Sequence, residues 1–425
     1  MSAESPDLPP APPAPPGGPE RTLDDALLPL PFHRSTVEHL KETEREHWAW
    51  FSSTAFLQQH GEDVRLELLK SCYRFEPAEH QALYEMVAEV GANLGIKAPV
   101  TVYQSQGAQT LNAYLAYVPG EAHVVLEGPL QGILSSDELR ATLAHELTHY
   151  LLWERQGGEL LVADQMLSAM ANHPRAASSH IETARLFRLY SEVHADRGTL
   201  AVGSDPLPAI SALIKVQTGL AEVSAESYLR QSDEIFSKEE VKAEELTHPE
   251  AFIRARALSL WASQGQAADP EIAKMIEGPL DASRLTLLGQ KALSETTRRV
   301  LACFLKPRWL QTQARLAHAR LFFPDLDPGK EGDDLEHLRE GLGRVRASVH
   351  EYLSYVLLDL CTVDRQGDDA ALAAGLKMAD SLGFAETFLK IAGDELDLSK
   401  RARARLKKDA GELVPEAVPA PQDEA

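Results

Sequence analysis

The chain has 425 residues, of which 44% are apolar and 25% are charged, an ordinary composition for a globular protein. Its net charge of −22 argues against binding to nucleic acid or to anionic lipid, because both are negatively charged. No run of 18 apolar residues and no basic, apolar leader is present, so we expect neither membrane insertion nor secretion.

The N-terminal part of the chain changes from proline-rich to helical. Eight prolines among the first twenty residues predict a disordered arm over residues 1–22, because such a sequence cannot bury a core. Residues 23–74 have a helical pattern, and we assign residues 23–78 to an N-terminal helical region. A further helix is expected over residues 79–94, ended by Gly95.

Three β-rich segments follow this helix. They cover residues 100–103, 110–118 and 122–126, and a Pro119-Gly120 turn signal separates the last two. The pattern predicts a small sheet of three or four strands.

The rest of the chain has an almost entirely helical pattern. We therefore expect an α+β, mostly α-helical fold in which helical flanks lie on both sides of the sheet region. Residues 264–410 carry no motif and are assigned to a C-terminal helical domain of unknown role, which could bind a protein partner. Residues 411–425 are acidic and proline-rich and are expected to be a disordered tail.

The three cysteines are too few and too far apart for a disulfide framework. Cys72, Cys303 and Cys361 are expected to be reduced, buried thiols, which is typical of a cytoplasmic protein.

A helix with two histidines contains the chemically informative residues. Ser135 and Glu138 form a capping-box pattern, which predicts that a helix begins there, and it is expected to run to the glycine pair at 157–158. His145 and His149 are four residues apart and leave the same helix face, so they can share one metal ion.

Glu146 follows the first histidine and completes the H-E-x-x-H pattern of zinc metallopeptidases. The alternative is a pair of surface histidines beside a solvated glutamate. The flanking residues are apolar, however, and buried histidines and carboxylates need partners. We therefore predict one zinc ion per chain, bound by His145 and His149, with Glu146 as the base.

A catalytic zinc needs a third protein ligand. Glu154 lies on the same helix but leaves it from another face. Glu192 and His194 are both candidates on a second helix, and helical periodicity alone does not choose between them. We favour Glu192, and we expect His194 to be a partly exposed helix histidine. Asp196 shares a face with Glu192 and suits a role in orienting a ligand histidine.

Four short motifs in order resemble the gluzincin metallopeptidases of the HtpX and CAAX prenyl endopeptidase family. They are Asn112-Ala113-Tyr114, the segment from Val124 to His149, Glu192-x-x-Ala195-Asp196, and Thr247-His248-Pro249 with Arg254. The resemblance implies a zincin domain over residues 79–263, with Glu192 as the third zinc ligand. Many members of the family are embedded in membranes, whereas this sequence has no apolar run long enough to span one. Their membrane-linked substrates are therefore not carried over to this chain.

The resemblance implies hydrolysis of polypeptide substrates by a water that zinc and Glu146 activate. The strand that contains Asn112, Ala113 and Tyr114 could be a sheet edge to which an extended substrate adds, although it could also be scaffold alone.

His248 is a further candidate within this family motif. It could donate to the oxyanion, or it could occupy the open zinc position and restrain the enzyme. From spacing alone it would be a solvent-facing histidine at a helix start.

The rival interpretation is a non-enzymatic protein in which the helical flanks bind a partner and the metal site is vestigial. An intact Glu146 argues against it, because a structural site does not need a base.

Overall fold

The structure, a computed structural model, describes residues 27–238, 250–330, 335–364 and 368–413. It confirms the mostly α-helical α+β fold with a small sheet. The predicted arm at 1–22, His248 and all but the first residues of the predicted tail at 411–425 lie outside the described residues.

The sheet has four strands in the order β1-β2-β4-β3. Strand β1 (Cys72–Arg74) is antiparallel to β2 (Val100–Ser105), which is parallel to β4 (Glu121–Glu127). The last strand, β3 (Asn112–Val118), pairs antiparallel with β4 and forms one edge of the sheet. The helical prediction for 72–74 is therefore wrong, because these residues pair with a strand that lies about thirty residues further along the chain.

Helices make up most of the rest of the described chain. The α-helices are, in chain order, α1 (Pro31–Thr43), α2 (Arg45–Phe51), α3 (Thr54–Ser71), α4 (Gln81–Asn93), α5 (Leu130–Ile133), α6 (Ser136–Glu154), α7 (Glu159–Ala171), α8 (Ser178–Val202), α9 (Leu207–Thr218), α10 (Ala225–Ser237), α11 (Glu250–Gln264), α12 (Asp269–Glu277), α13 (Leu287–Phe304), α14 (Gln313–Phe322), α15 (Leu335–Leu342), α16 (Ala347–Thr362), α17 (Asp368–Leu382), α18 (Ala385–Glu395) and α19 (Lys400–Glu412).

Two helix ends test the predicted stop signals. Helix α4 is followed by Gly95 at a φ of +69°, as expected for a residue that must adopt the left-handed region. Helix α6 ends at Glu154, three residues before the predicted glycine pair. The turn over Arg155–Gly158 begins earlier because Gln156 itself adopts a φ of +53°.

Three large apolar cores hold different parts of the described chain together. One core packs the sheet against α4 and α6, and a second packs α1, α7, α8 and α11 together. A third core joins the helices from α13 to α19. Ile272 and Ile276 of α12 belong to the second core, so α12 packs with the helices before residue 264 and not with those after it. The domain boundaries predicted from the sequence stay predictions.

The three cysteines are buried, as predicted, and none of them is in a disulfide. None of the helices within the described ranges combines the length and apolar character that a membrane span requires.

Candidate functional site

Helix α6 is held in register by its first turn. The Ser135 hydroxyl accepts from the Glu138 backbone N–H at 3.3 Å, and the Glu138 carboxylate accepts from the Ser135 backbone N–H at 2.7 Å. This confirms the predicted capping box, which satisfies two of the unpaired N–H groups at a helix start. Glu138 also accepts a hydrogen bond from Lys215 on α9 at 2.8 Å, which ties α9 to the start of α6.

Helices α6 and α8 approach each other closely at Gly198. A Cβ atom at this position would lie 1.7 Å from Oγ1 of Thr148 and 2.7 Å from its Cβ. Only glycine fits there without moving the backbone. The close approach brings the histidine face of α6 to the carboxylate face of α8.

The three candidate metal ligands meet between these helices. The Nε2 atoms of His145 and His149 are 3.2 Å apart. Carboxylate oxygens of Glu192 lie 3.4 Å from Nε2 of His145 and 3.5 Å from Nε2 of His149. One ligand atom from each residue therefore lies within 4.8 Å of the others, and the group can hold a metal ion.

Glu146 lies beside this group and is buried, with 5% of its surface exposed. Burial raises the pKa of its carboxyl group, while the neighbouring His145 and His149 lower it in part. A carboxylate whose pKa is raised by burial accepts a proton more readily than one in water.

Asp196 and Arg254 contact two of the candidate ligands. Oδ1 of Asp196 lies 2.9 Å from Nδ1 of His145. Arg254 on α11 donates two hydrogen bonds to Asp196, at 2.7 and 2.8 Å, and its Nη1 lies 2.8 Å from Glu192. The carboxylate can therefore fix the ring orientation of His145, as carboxylates behind metal-binding histidines commonly do.

Opposing effects set the ionisation of this group. Burial would raise the pKa of Asp196, but Arg254 and the hydrogen bond to His145 hold it at about 2. Burial would lower the pKa of His145, but hydrogen bonds to Asp196 and Glu192 raise it to about 10. The carboxylates thus stay ionised and favour positive charge at the centre.

A cleft of about 380 Å³ opens onto the three candidate ligands. Its sides are formed by Asn112, Ala113 and Tyr114 of the edge strand β3 and by an apolar face of α9 that includes Ala212 and Leu213. The structure therefore places the predicted strand residues at a sheet edge that faces the candidate metal group. Their role in substrate binding stays a prediction.

His194 differs from the expectation. It points away from Glu192, but it is fully buried and not partly exposed. Its ring packs 6.4 Å from that of His33, which α1 contributes, and neither ring nitrogen has a hydrogen-bond partner among the described residues. Burial lowers its pKa well below the usual value. The prediction failed because α1, about 160 residues earlier in the sequence, covers this face of α8.

Two contributions to the site were not assigned from the sequence. Arg254 was noted only within a motif, and its contacts with Asp196 and Glu192 span 58 and 62 positions of the chain. Gly198 was not singled out. The sequence offered only a weak indication of its role, because a glycine in the middle of a helix is unfavourable unless packing requires it.

Comparisons with known proteins show a similarity to metallopeptidases. Residues 77–262 match the model of Peptidase family M48, and this segment contains the candidate ligands, Glu146, Asp196 and Arg254. The match covers less than half of the chain and supports a metallopeptidase assignment for that segment.

A relative from Arabidopsis thaliana, described as "Plastoglobule-localized metallopeptidase 48, chloroplastic", is 27% identical over 198 residues. The alignment covers 42% of this chain and 56% of the relative, so the chain spans about half the length of the protein it matches. The comparison with solved structures gave no match.

Proposed function

We propose that the chain is a zinc metalloendopeptidase in which His145, His149 and Glu192 bind the metal and Glu146 is the general base. The observation that carries the proposal is the convergence of these three side chains within 4.8 Å beside a buried glutamate. The match to Peptidase family M48 supports the same reaction class.

The donor set fits zinc in its spacing and chemistry. A tetrahedral zinc ion with bonds of about 2.0–2.1 Å needs ligand atoms about 3.3 Å apart. The two Nε2 atoms are 3.2 Å apart, and Glu192 lies 3.4 Å from that of His145 through Oε2 and 3.5 Å from that of His149 through Oε1. One atom from each residue lies within 4.8 Å of the others, which a small shift of the carboxylate brings to the zinc distance. Two imidazoles and one carboxylate leave one position open, as in catalytic sites, whereas structural zinc sites use four protein ligands.

The residues of the chain divide the chemistry between them. Zinc bound here would supply a Lewis acid for the scissile carbonyl and would lower the pKa of water. Glu146 would take a proton from the attacking water and pass it to the leaving amine. Asp196 would keep Nε2 of His145 directed at the metal, and Arg254 would keep both carboxylates ionised.

The cleft supports an extended polypeptide as the substrate. A peptide could pair with the free edge of β3 and present its backbone to the site, and this pairing reads the backbone more than the side chains. The proposal therefore includes cleavage within polypeptides of varied sequence.

The test is hydrolysis by the purified full chain. We expect cleavage of casein or a quenched fluorescent peptide, loss of cleavage with a chelator, and recovery with added zinc. Glu146→Gln should keep zinc and lose about 10²–10⁴-fold in rate. Glu85→Gln, an exposed glutamate that accepts from Gln81, is the matched control and should behave as the wild type. Wild-type cleavage by Glu146→Gln, or cleavage that resists the chelator, would contradict the proposal.

Metal content tests the ligand assignment. Glu192→Ala should lose zinc, as should His145→Ala and His149→Ala, because each removes a ligand. His194→Ala should keep zinc, since its ring lies on the far side of α8. Normal zinc in Glu192→Ala would refute the assignment.

Other parts of the prediction remain proposals of the same kind. The interaction-protein alternative is not favoured. A structural metal site does not need a base, whereas here Glu146 lies buried beside the candidate ligands. A protein partner for the C-terminal helices and a cytoplasmic location stay predictions, as do the two roles considered for His248, which lies outside the described residues.

A further inference from the structure

The last residue of α6 connects this helix to the edge strand of the sheet. The Glu154 carboxylate accepts a hydrogen bond from the Tyr117 hydroxyl at 2.9 Å and another from the Gly120 backbone N–H at 2.9 Å. The ring of Tyr150, one turn earlier on α6, packs 5.9 Å from that of Tyr117. Burial and the nearby Glu154 carboxylate raise the pKa of Tyr150 to about 12.

A carboxylate is locally unfavourable at this position. The C-terminal end of a helix carries a partial negative charge, so a glutamate in the last turn is repelled by the helix dipole. Here the hydroxyl and backbone donors of the β3–β4 hairpin offset that repulsion. This compensation indicates that the contacts of Glu154 with the hairpin matter.

The two ends of β3 have different surroundings. Its first residues, from Asn112 to Leu115, line the cleft beside the candidate metal ligands. Its last residues lead to the turn at Gly120, which Glu154 binds. Within the described sheet, β3 pairs with β4 on one side and with no strand on the other. Packing against helices and the link to Glu154 therefore hold β3 in place.

The spacing along both elements is matched. Leu115 precedes Tyr117 by two strand residues, or about 7 Å. His149 precedes Glu154 by five helical residues, or about 7.5 Å. The link at Glu154 therefore acts on the part of the strand that runs beside the metal-binding turn of α6.

We propose that Glu154 is a positioning residue that holds the edge strand β3 at a fixed distance from α6, so that an extended peptide paired with this edge is presented to the site. The inference rests on the proposed peptidase function. Glu154 contacts neither the candidate ligands nor the cleft residues among its described hydrogen bonds, so it acts through the strand.

The test compares Glu154→Ala with Glu154→Gln, which keeps a side-chain oxygen for both donors. Glu159→Ala is the matched control, because Glu159 begins the next helix and pairs with Lys41 instead of the strand. The substrates are an eight-residue quenched fluorescent peptide, which can pair along β3, and a blocked dipeptide, which is too short to do so.

We expect Glu154→Ala to lower kcat/KM for the long peptide by about 10-fold to 100-fold, mainly through KM, because a misplaced strand misplaces the substrate. The short peptide should change by less than about threefold, and Glu154→Gln should stay close to the wild type. Zinc content should be unchanged in all three variants. Amide hydrogen exchange at residues 117–120 should accelerate in Glu154→Ala but not in Glu159→Ala.

Several results would overturn the inference. Equal losses on both peptides, loss of zinc in Glu154→Ala, or exchange no faster than in Glu159→Ala would each show that Glu154 does not position the strand. If the wild-type chain cleaves neither peptide, the proposed function fails and the role in presenting substrate fails with it, while the exchange measurement still reports whether Glu154 holds the hairpin.

Discussion

The close contact between Gly198 and Thr148 gives a direct test of how the site is assembled. A Cβ atom added at Gly198 would lie 1.7 Å from Oγ1, 2.7 Å from Cβ and 2.8 Å from Cγ2 of Thr148. Rotation of the threonine side chain cannot relieve the overlap, because its Cβ is already too close. If Thr148 keeps the rotamer in which it donates to the Ala144 carbonyl oxygen, the helices must separate locally by about 1.3 Å to bring Oγ1 to an acceptable 3.0 Å, and its Cβ requires about 0.3 Å in any rotamer.

The expected cost of Gly198→Ala combines two opposing contributions. Overpacking costs about 1–3 kcal/mol, whereas alanine in place of a helical glycine gains up to about 1 kcal/mol. We therefore expect a net loss of about 1–2 kcal/mol in the free energy of unfolding. The effect on zinc should be larger, because metal sites tolerate ligand displacements of only about 0.2 Å and Thr148 is next to His149.

The assay is urea unfolding together with a competitive zinc titration of the purified protein. Gly91→Ala is the matched control, since Gly91 also lies within a helix but an added Cβ would meet no atom within 4 Å. Its unfolding free energy should stay the same or rise. Thr148→Gly removes all three clashing atoms, so in the Gly198→Ala background it should restore part of the zinc affinity.

The reasoning would be refuted if Gly198→Ala unfolded at the wild-type urea concentration and bound zinc as tightly as the wild type. It would also fail if Thr148→Gly gave no recovery, because the damage would then not come from this contact.

Three further predictions concern the surroundings of the site. Asp196→Ala should weaken zinc binding by about 10–100-fold in a competitive titration, since it releases the His145 ring, and unchanged affinity would exclude that role. Ala209→Phe, at a half-buried residue of the cleft wall, should lower kcat/KM for peptides while zinc content stays normal, because the ring enters the cleft, and unaltered kinetics would place the substrate elsewhere. Burial lowers the pKa of His33 to about 3 in the folded chain, against about 6.5 in the unfolded chain. Between these two pH values the unfolded chain binds one more proton at this residue than the folded chain does. The free energy of unfolding should therefore fall as the pH drops below about 6.5. His33→Gln should reduce that slope by up to about 1.4 kcal/mol per pH unit in urea unfolding between pH 7 and 5, and an identical slope would contradict it.

Local patterns predicted the parts of the fold that depend on neighbours in sequence. The capping box at Ser135 and Glu138 and the left-handed Gly95 follow from backbone hydrogen bonds within a few residues. The spacing of His145 and His149 likewise follows from the helical repeat, which places them on one face.

Contacts between distant segments could not be predicted in the same way. The strand Cys72–Arg74 continues a helical pattern, and only its pairing with β2 determines its conformation. His194 has a helix position that would be half exposed on an isolated helix, but α1 covers it. The pairing of Arg254 with Asp196 depends on how α11 packs across α8, which no periodicity in either helix specifies.

The position of Arg254 in the chain has a consequence for synthesis. Its guanidinium binds the carboxylates of Asp196 and Glu192, and it emerges from the ribosome 58 residues after Asp196. At about 5–20 residues per second, the nascent chain therefore has both histidines and Glu192 for several seconds before this cation arrives. Losing one partner of a buried ion pair costs about 3–5 kcal/mol, so the packing of α8 against α6 is less favourable until Arg254 arrives with α11. The candidate metal group is thus completed late in synthesis, after α11 has emerged.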